Sequence, residues 1–261
     1  MANSRSGESV VERLVRILNA FDMDHAELTA TEVAARADLS LSTAHRLAGD
    51  MTTHGLLRRT PQGKFRIGLV LWELAQRSSS YQEFGQQALP FMEAVHVTQR
   101  QNTSLAILDP EDRTIIYLER LISQDVPTDL TKVAGRLPVL STAPGLAILA
   151  FSPRHMQERF LSEPWDPVTR NSGLTEEGLR RRLAQARMDG YVHMRGVLVP
   201  GSSGTAAPVL GPGGRVLGAI SIVSAVDQID LKVQVPVLLA AARGLSRQMG
   251  SQGKFAEPDA F

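Results

Sequence analysis

Arg46 stands among small polar side chains on one side of a helical pattern. At about 100° per residue, Ser42, Gly49 and Thr53 fall near it, with Thr43, His45 and Asp50 flanking. Small residues let a helix approach another surface closely, and a guanidinium can grip a guanine edge or a phosphate. The chemistry implied is reading of duplex DNA by a helix lying in the major groove. Four further cations, Arg58, Arg59, Lys64 and Arg66, follow on a short hairpin pattern. Between Leu39 and Arg66 the only acid is Asp50, so this segment carries a local charge of +4, whereas the whole chain of 261 residues carries +1. Positive charge confined to one helix and one ribbon is the electrostatic footprint of a duplex binder.

The elements that must hold these side chains are legible around them. Thr29 and Glu32 form a capping box, and Val33, Ala34 and Ala37 supply the inward stripe of a first short helix. In the second helix Ala44, Leu47, Ala48 and Met51 recur at helical spacing, which turns Arg46 outward. Thr60-Pro61-Gln62-Gly63 has Pro and Gly where a tight turn wants them, joining Leu56–Arg59 to Lys64–Ile67. Upstream, Ser9 to Asp22 reads as an amphipathic supporting helix with Val10, Leu14, Ile17, Leu18 and Phe21 on one stripe. Two helices, a short break and a basic hairpin in this order predict a winged helix-turn-helix over residues 1–67. Gly68 to Arg77 predicts a linker helix within 68–80 that packs on its own domain or pairs with a second copy. Ser78 to Ser80 marks the boundary.

Residues 81–252 predict a second domain. A helix is expected over Ala88–Arg100, then a hairpin of Thr103–Leu108 and Thr114–Glu119 around Asp109-Pro-Glu-Asp112, with a further strand over Val126–Val133. The loop Leu137–Ser141 precedes an apolar helix, Thr142–Phe151, and Ser152 is positioned to cap the helix His155–Leu161. Thr175 opens a helix that Gly190 ends. Strands Tyr191–Met194, Gly204–Leu210 and Val216–Val223 follow, and a helix over Leu231–Gly250 closes the fold. Helices and strand pairs in this mixture predict an α+β class with a mostly antiparallel sheet and flanking helices. Residues 253–261 read as a tail.

Composition narrows the function classes. With 43% apolar and 21% charged residues the chain is that of a globular protein. Residues 1–77 carry ten basic and nine acidic side chains, and the remainder carries equal numbers of each. Nucleic-acid contact is therefore expected of the N-terminal domain alone. No apolar run spans a bilayer and Met1–Glu8 has no hydrophobic signal core, so a soluble cytoplasmic protein without membrane contact is expected. Cysteine is absent, which excludes disulfides and thiolate chemistry. The six histidines show no metal-ligand spacing, Gly201-Ser-Ser-Gly204 is not a nucleophile elbow, and Gly211-Pro-Gly-Gly214 lacks the Lys-Ser/Thr of a phosphate loop. No enzyme, metal or cofactor is expected. The competing reading is a small-molecule sensor or enzyme whose N-terminal domain mediates protein contacts.

Several strings together resemble the IclR family of bacterial transcription regulators. They are Ser42-Thr-Ala-His-Arg-Leu47, Gly55-Leu-Leu57, Gly63-Lys-Phe-Arg-Ile-Gly68, Arg136-Leu-Pro-Val-Leu-Ser-Thr-Ala143, Asp189-Gly-Tyr191, Ala206-Ala-Pro-Val209 and Val216-Leu-Gly-Ala-Ile-Ser221. The resemblance covers nearly the whole chain. It implies a winged helix-turn-helix, a linker helix and an effector domain similar to GAF and PAS modules. It further implies a homodimer or homotetramer on a palindromic double-stranded DNA operator. Ser42, Thr43 and Arg46 match the family's reading helix, whereas Leu41 stands where the family often has lysine.

The family's effector pocket maps onto Leu137, Ser141, Thr142, Ala143, Gly204 and Ser221. After the Gly-Tyr motif, where many relatives carry acids, this chain has His193-Met194-Arg195. Gly204, beside Thr205, and Val223 replace the Cys and Ser of relatives that take small oxo acids. The altered positions imply a larger, more apolar effector such as an aromatic acid, with Arg195 or His193 available for its carboxylate.

Overall fold

The computed structural model describes residues 8–22, 24–77, 80–123, 131–162, 164–166, 169–170 and 172–251. The chain divides into two compact units, Met1–Ser79 and Ser80–Phe261.

In the first unit, helix α1 (Val10–Asn19) opens on a capping box in which Ser9 Oγ accepts from the Glu12 amide at 3.1 Å and Glu12 accepts from the Ser9 amide. It ends before the expected Asp22, because the Asp22 carboxylate accepts from the amides of Asp24 and His25 and starts a turn instead. Helix α2 (Ala30–Arg36) carries the second capping box, Thr29 with Glu32. Helix α3 (Leu41–Thr53) buries Ala44, Leu47, Ala48 and Met51. Strands β1 (Leu57–Arg59) and β2 (Phe65–Ile67) pair antiparallel across the Thr60–Gly63 turn, in which Gly63 donates to Thr60 O at 2.9 Å. Leu28 exchanges two backbone hydrogen bonds with Phe65, which ties the ribbon to the chain ahead of α2. The core gathers Ile17, Leu28, Val33, Leu47, Met51, Leu57 and Phe65. Helix α4 (Leu69–Arg77) follows, with no buried side chain.

In the second unit six strands form one antiparallel sheet in the order β5-β4-β3-β8-β7-β6. They are β3 (Asn102–Asp109), β4 (Thr114–Leu121), β5 (Arg136–Pro138), β6 (Val192–Arg195), β7 (Ser202–Leu210) and β8 (Val216–Ala225). One face carries α5 (Ser80–Gln99) and the C-terminal helix, here α9 (Leu231–Ser251), which pack on each other. The other face carries α6 (Ala143–Phe151), with α7 (Arg154–Ser162) and α8 (Glu176–Asp189) against it. Every residue of α6 up to Ala150 is buried, which an all-apolar helix demands. Its Gly145 is required: a Cβ there would stand 2.2 Å from Val139 O.

The structure corrects the second unit at three places. Helix α5 starts eight residues before the expected Ala88; Phe84, Ala88, Met92 and Val95 make its buried stripe, and the polar Gln82–Gln87 stretch hid its first turns. Of the strand expected over Val126–Val133, residues 126–130 lie outside the described residues, and Thr131–Val133 form no strand. The edge strand is Arg136–Pro138 instead, three residues ending on a proline and too short for a period-two signal. Ser152 does not cap α7, because its hydroxyl donates back to Ile148 O at 2.9 Å. Thr175 does cap α8, accepting from the Gly178 amide, and Gly190 closes it with φ +81°.

Candidate nucleic-acid interface and ligand cleft

Helix α3 presents its polar side outward. Ser42, His45, Arg46 and Thr53 are exposed and Thr43 is half-buried, while a Cβ built at Gly49 would meet nothing within 4 Å. Ser40 caps the helix and its hydroxyl also donates to Thr43 Oγ1 at 2.8 Å, so Thr43 is partly engaged in holding the helix start. Thr53 turns its hydroxyl back onto Gly49 O. Among the described residues Arg46 pairs with Asp50, one turn along at 3.2 Å, and both side chains are more than half exposed. An exposed pair of this kind is worth roughly 0.3–0.5 kcal/mol, which a guanine or a phosphate easily outbids.

Pairing sorts the ribbon's cations by face. Arg58 lies directly opposite Arg66, both exposed. Like charges directly opposite repel, and an anion laid across them removes that cost. Arg59 takes the other face, stacked 4.4 Å from the Phe65 ring and 3.5 Å from His45 Nε2, which holds it toward α3. Lys64 is half-buried at the turn. Glu32 has its pKa lowered first by the Thr29 amide and hydroxyl, and less by Lys64 nearby.

On the α6 side of the sheet a cleft opens between β7–β8 and the start of α6. Leu137, Ser141, Thr142, Ala143, Met194, Gly204, Ser221 and Val223 line it. His193, Arg195 and Thr205 do not. Strand parity is the reason: Met194 and Gly204 face the cleft, so their neighbours face the opposite side of the sheet. There His193 Nδ1 sits 3.0 Å from Thr205 Oγ1, and Arg195 donates to Val226 O. Burial, then the charges of Arg195 and Arg182, lower the His193 pKa and favour a neutral imidazole. His193 and Arg195, expected to be available for an effector's carboxylate, therefore stand on the sheet face away from the cleft.

Sequence reasoning missed Tyr117, Thr131 and the loop Val197–Val199, which also line the cleft. The glycines flanking that loop, Gly196 and Gly201, both have positive φ and were the available signal. Among the described residues no charged side chain lines the cleft. Its polar groups are hydroxyls and the amino end of α6, and Ser221 Oγ is buried without a hydrogen-bond partner. An uncharged apolar cavity with a few hydroxyls suits a flat, mostly apolar ligand bearing one or two polar ends. No group of acids and histidines fit for a metal occurs among the described residues.

Comparison with known proteins places both units. Residues 10–61 match the IclR helix-turn-helix domain and residues 76–249 match the bacterial transcriptional regulator IclR C-terminal domain. The HTH-type transcriptional regulator XynR of Escherichia coli (strain K12) is 29% identical over 92% of this chain and 96% of its own length. KdgR of the same organism is 27% identical, covering 93% of each. Among solved structures, an IclR homolog from Microbacterium hydrocarbonoxydans complexed with 4-hydroxybenzoate is 38% identical, with a TM-score of 0.84 over 92% of this chain and 99% of that one. The named relatives are regulators of transcription, not enzymes. The chain belongs to the IclR family and is a DNA-binding transcriptional regulator.

Proposed function

We propose that this regulator binds a palindromic operator as a dimer or tetramer in the cytoplasm and that an aromatic acid in the cleft alters that binding. In this reading Arg46, with Ser42 and Thr43, reads a half-site. Arg58, Arg59, Lys64 and Arg66, joined by His45 and Thr53, hold the phosphate rail. Exposed apolar side chains support the assembly: Leu69, Trp72 and Leu74 on α4 and Val10, Val11 and Val15 on α1 are each about half exposed or more. Apolar surface at that density suits a second copy of the same helices. A ligand favours one arrangement of the two reading heads only as far as it binds that arrangement better.

One observation carries the ligand class: among the described residues the cleft has hydroxyls and a helix amino end but no charged side chain, in a chain 38% identical to a homolog solved with 4-hydroxybenzoate. A single carboxylate is met by the α6 start and the hydroxyls, while the ring lies against Leu137 and Val197–Val199. Isothermal titration of the full-length protein checks this with 4-hydroxybenzoate, benzoate, glyoxylate and pyruvate. The aromatic acids are expected to bind at least tenfold tighter than the oxo acids. Tight binding of glyoxylate or pyruvate alone overturns the assignment.

Lys64 separates positioning from reading. Lys64→Ala is expected to weaken specific and scrambled duplexes alike and to lower the slope of log affinity against log salt by about 1. Loss confined to one sequence in a gel-shift series across salt contradicts a phosphate role.

A further inference from the structure

Directly behind the cleft, on the far face of the sheet, four side chains form one hydrogen-bonded chain. His193 Nδ1 lies 3.0 Å from Thr205 Oγ1, Thr205 donates to Gln234 Oε1 at 2.7 Å, and Gln234 Nε2 donates to Ser224 Oγ at 2.9 Å. Because the one hydroxyl hydrogen of Thr205 goes to Gln234, the imidazole donates to Thr205 through Nδ1–H. Thr205, Gln234 and Ser224 are buried, at 0, 4 and 1% exposure.

Each strand that meets the cleft here gives its adjacent residue to this chain: Met194 and His193 on β6, Gly204 and Thr205 on β7, Val223 and Ser224 on β8. The register sets them side by side, with His193 opposite Thr205, Met194 opposite Gly204 and Gly204 opposite Val223. Any backbone shift at Gly204 therefore moves the Thr205 hydroxyl. Gln234 belongs to α9, whose other fully buried side chains among the described residues, such as Leu238, Ala242, Leu245 and Met249, are apolar. Apolar contacts tolerate small sliding. A fully satisfied buried hydrogen-bond chain does not, because a stretched member leaves a desolvated polar group unpaired. Helix α9 in turn packs on α5, the first helix of this unit.

We propose that Thr205 and Gln234 are positioning residues that couple occupancy of the cleft to α9, so that filling the cleft changes the first turns of the C-terminal helix through this chain. The inference rests on the reading that the cleft takes an aromatic acid.

Its test uses the full-length protein and 4-hydroxybenzoate, with titration calorimetry for binding and amide hydrogen exchange for residues 231–238. In the unsubstituted protein the acid is expected to change exchange in that segment at least fivefold. Thr205→Val and Gln234→Leu are each expected to keep the acid's affinity within about threefold and to abolish the exchange change. Thr205→Ser, which keeps the hydroxyl, is expected to restore it. A merely structural role would leave the ligand-dependent change intact in both variants, and that result overturns the coupling. Binding with no exchange change in the unsubstituted protein overturns it too, leaving the ligand class standing. Absence of binding to the unsubstituted protein instead ends the ligand reading and the coupling with it. If Thr205→Val fails to fold, Gln234→Leu breaks the same link from the helix side and decides the matter.

Discussion

Phe65→Ala is expected to unfold the N-terminal unit selectively, at a cost of about 3–5 kcal/mol. Phe65 is fully buried and large, and it sits in the core that also holds Leu28, Leu47, Met51 and Leu57. Three other features depend on its place. Its backbone pairs with Leu28, its strand forms half of the ribbon, and its ring lies under the Arg59 guanidinium. Truncation leaves a cavity beneath the wing and removes the platform that holds Arg59 toward α3. A small unit has a total stability of only about 5–15 kcal/mol, so a loss of this size consumes a large part of it. Calorimetric scanning of the full-length variant should show the N-terminal transition falling by on the order of 15 °C or more. DNA binding should be lost with it. The heat of 4-hydroxybenzoate binding should persist, because the cleft lies within the second unit. An unchanged melting profile contradicts the core assignment.

How much of this was readable in the residues differs sharply between the two units. In the first, the signals are local. The Thr29–Glu32 capping box, a 3.6-residue apolar stripe and a Pro-x-Gly turn each act within a few residues, and each stands where the spacing put it. The face of α3 that holds Arg46 followed directly, since the burial of Ala44, Leu47, Ala48 and Met51 leaves no other side for it.

In the second unit every strand but the short edge strand Arg136–Pro138 was legible, and the sides of the strands were not. Parity within β6 forbids His193, Met194 and Arg195 from sharing a cavity, and the period-two rule was sufficient to see this. What it could not supply was which parity faces α6, because β7 and β8 are buried on both faces and their residues show no polar alternation. Cleft members contributed from far along the chain, Tyr117 and Thr131, left no local pattern at all. The covered start of α5 was obscured for another reason: Ser80, Gln82, Gln87 and Gly85 dilute an apolar stripe whose partner face comes from α9, more than a hundred residues later.

The reading helix is where the account is most exposed. Arg46 stands on an outward face made of small residues, held by nothing stronger than one solvent-exposed pair with Asp50. A guanidinium so placed can give a bidentate contact to the O6 and N7 of guanine, worth about 1–3 kcal/mol of discrimination against the wrong base. Arg46→Ala should leave folding intact, since no buried group loses a partner, and should cost about 1–3 kcal/mol on the operator. The ribbon cations remain, so binding to scrambled duplex should change little. Fluorescence anisotropy of the unsubstituted protein and Arg46→Ala on an operator selected from genomic DNA and on a scrambled duplex, at several salt concentrations, tests this most directly. The gap between the two duplexes is expected to narrow by about fivefold or more in the variant, with parallel salt slopes. An equal loss on both duplexes, or no loss on either, would contradict it.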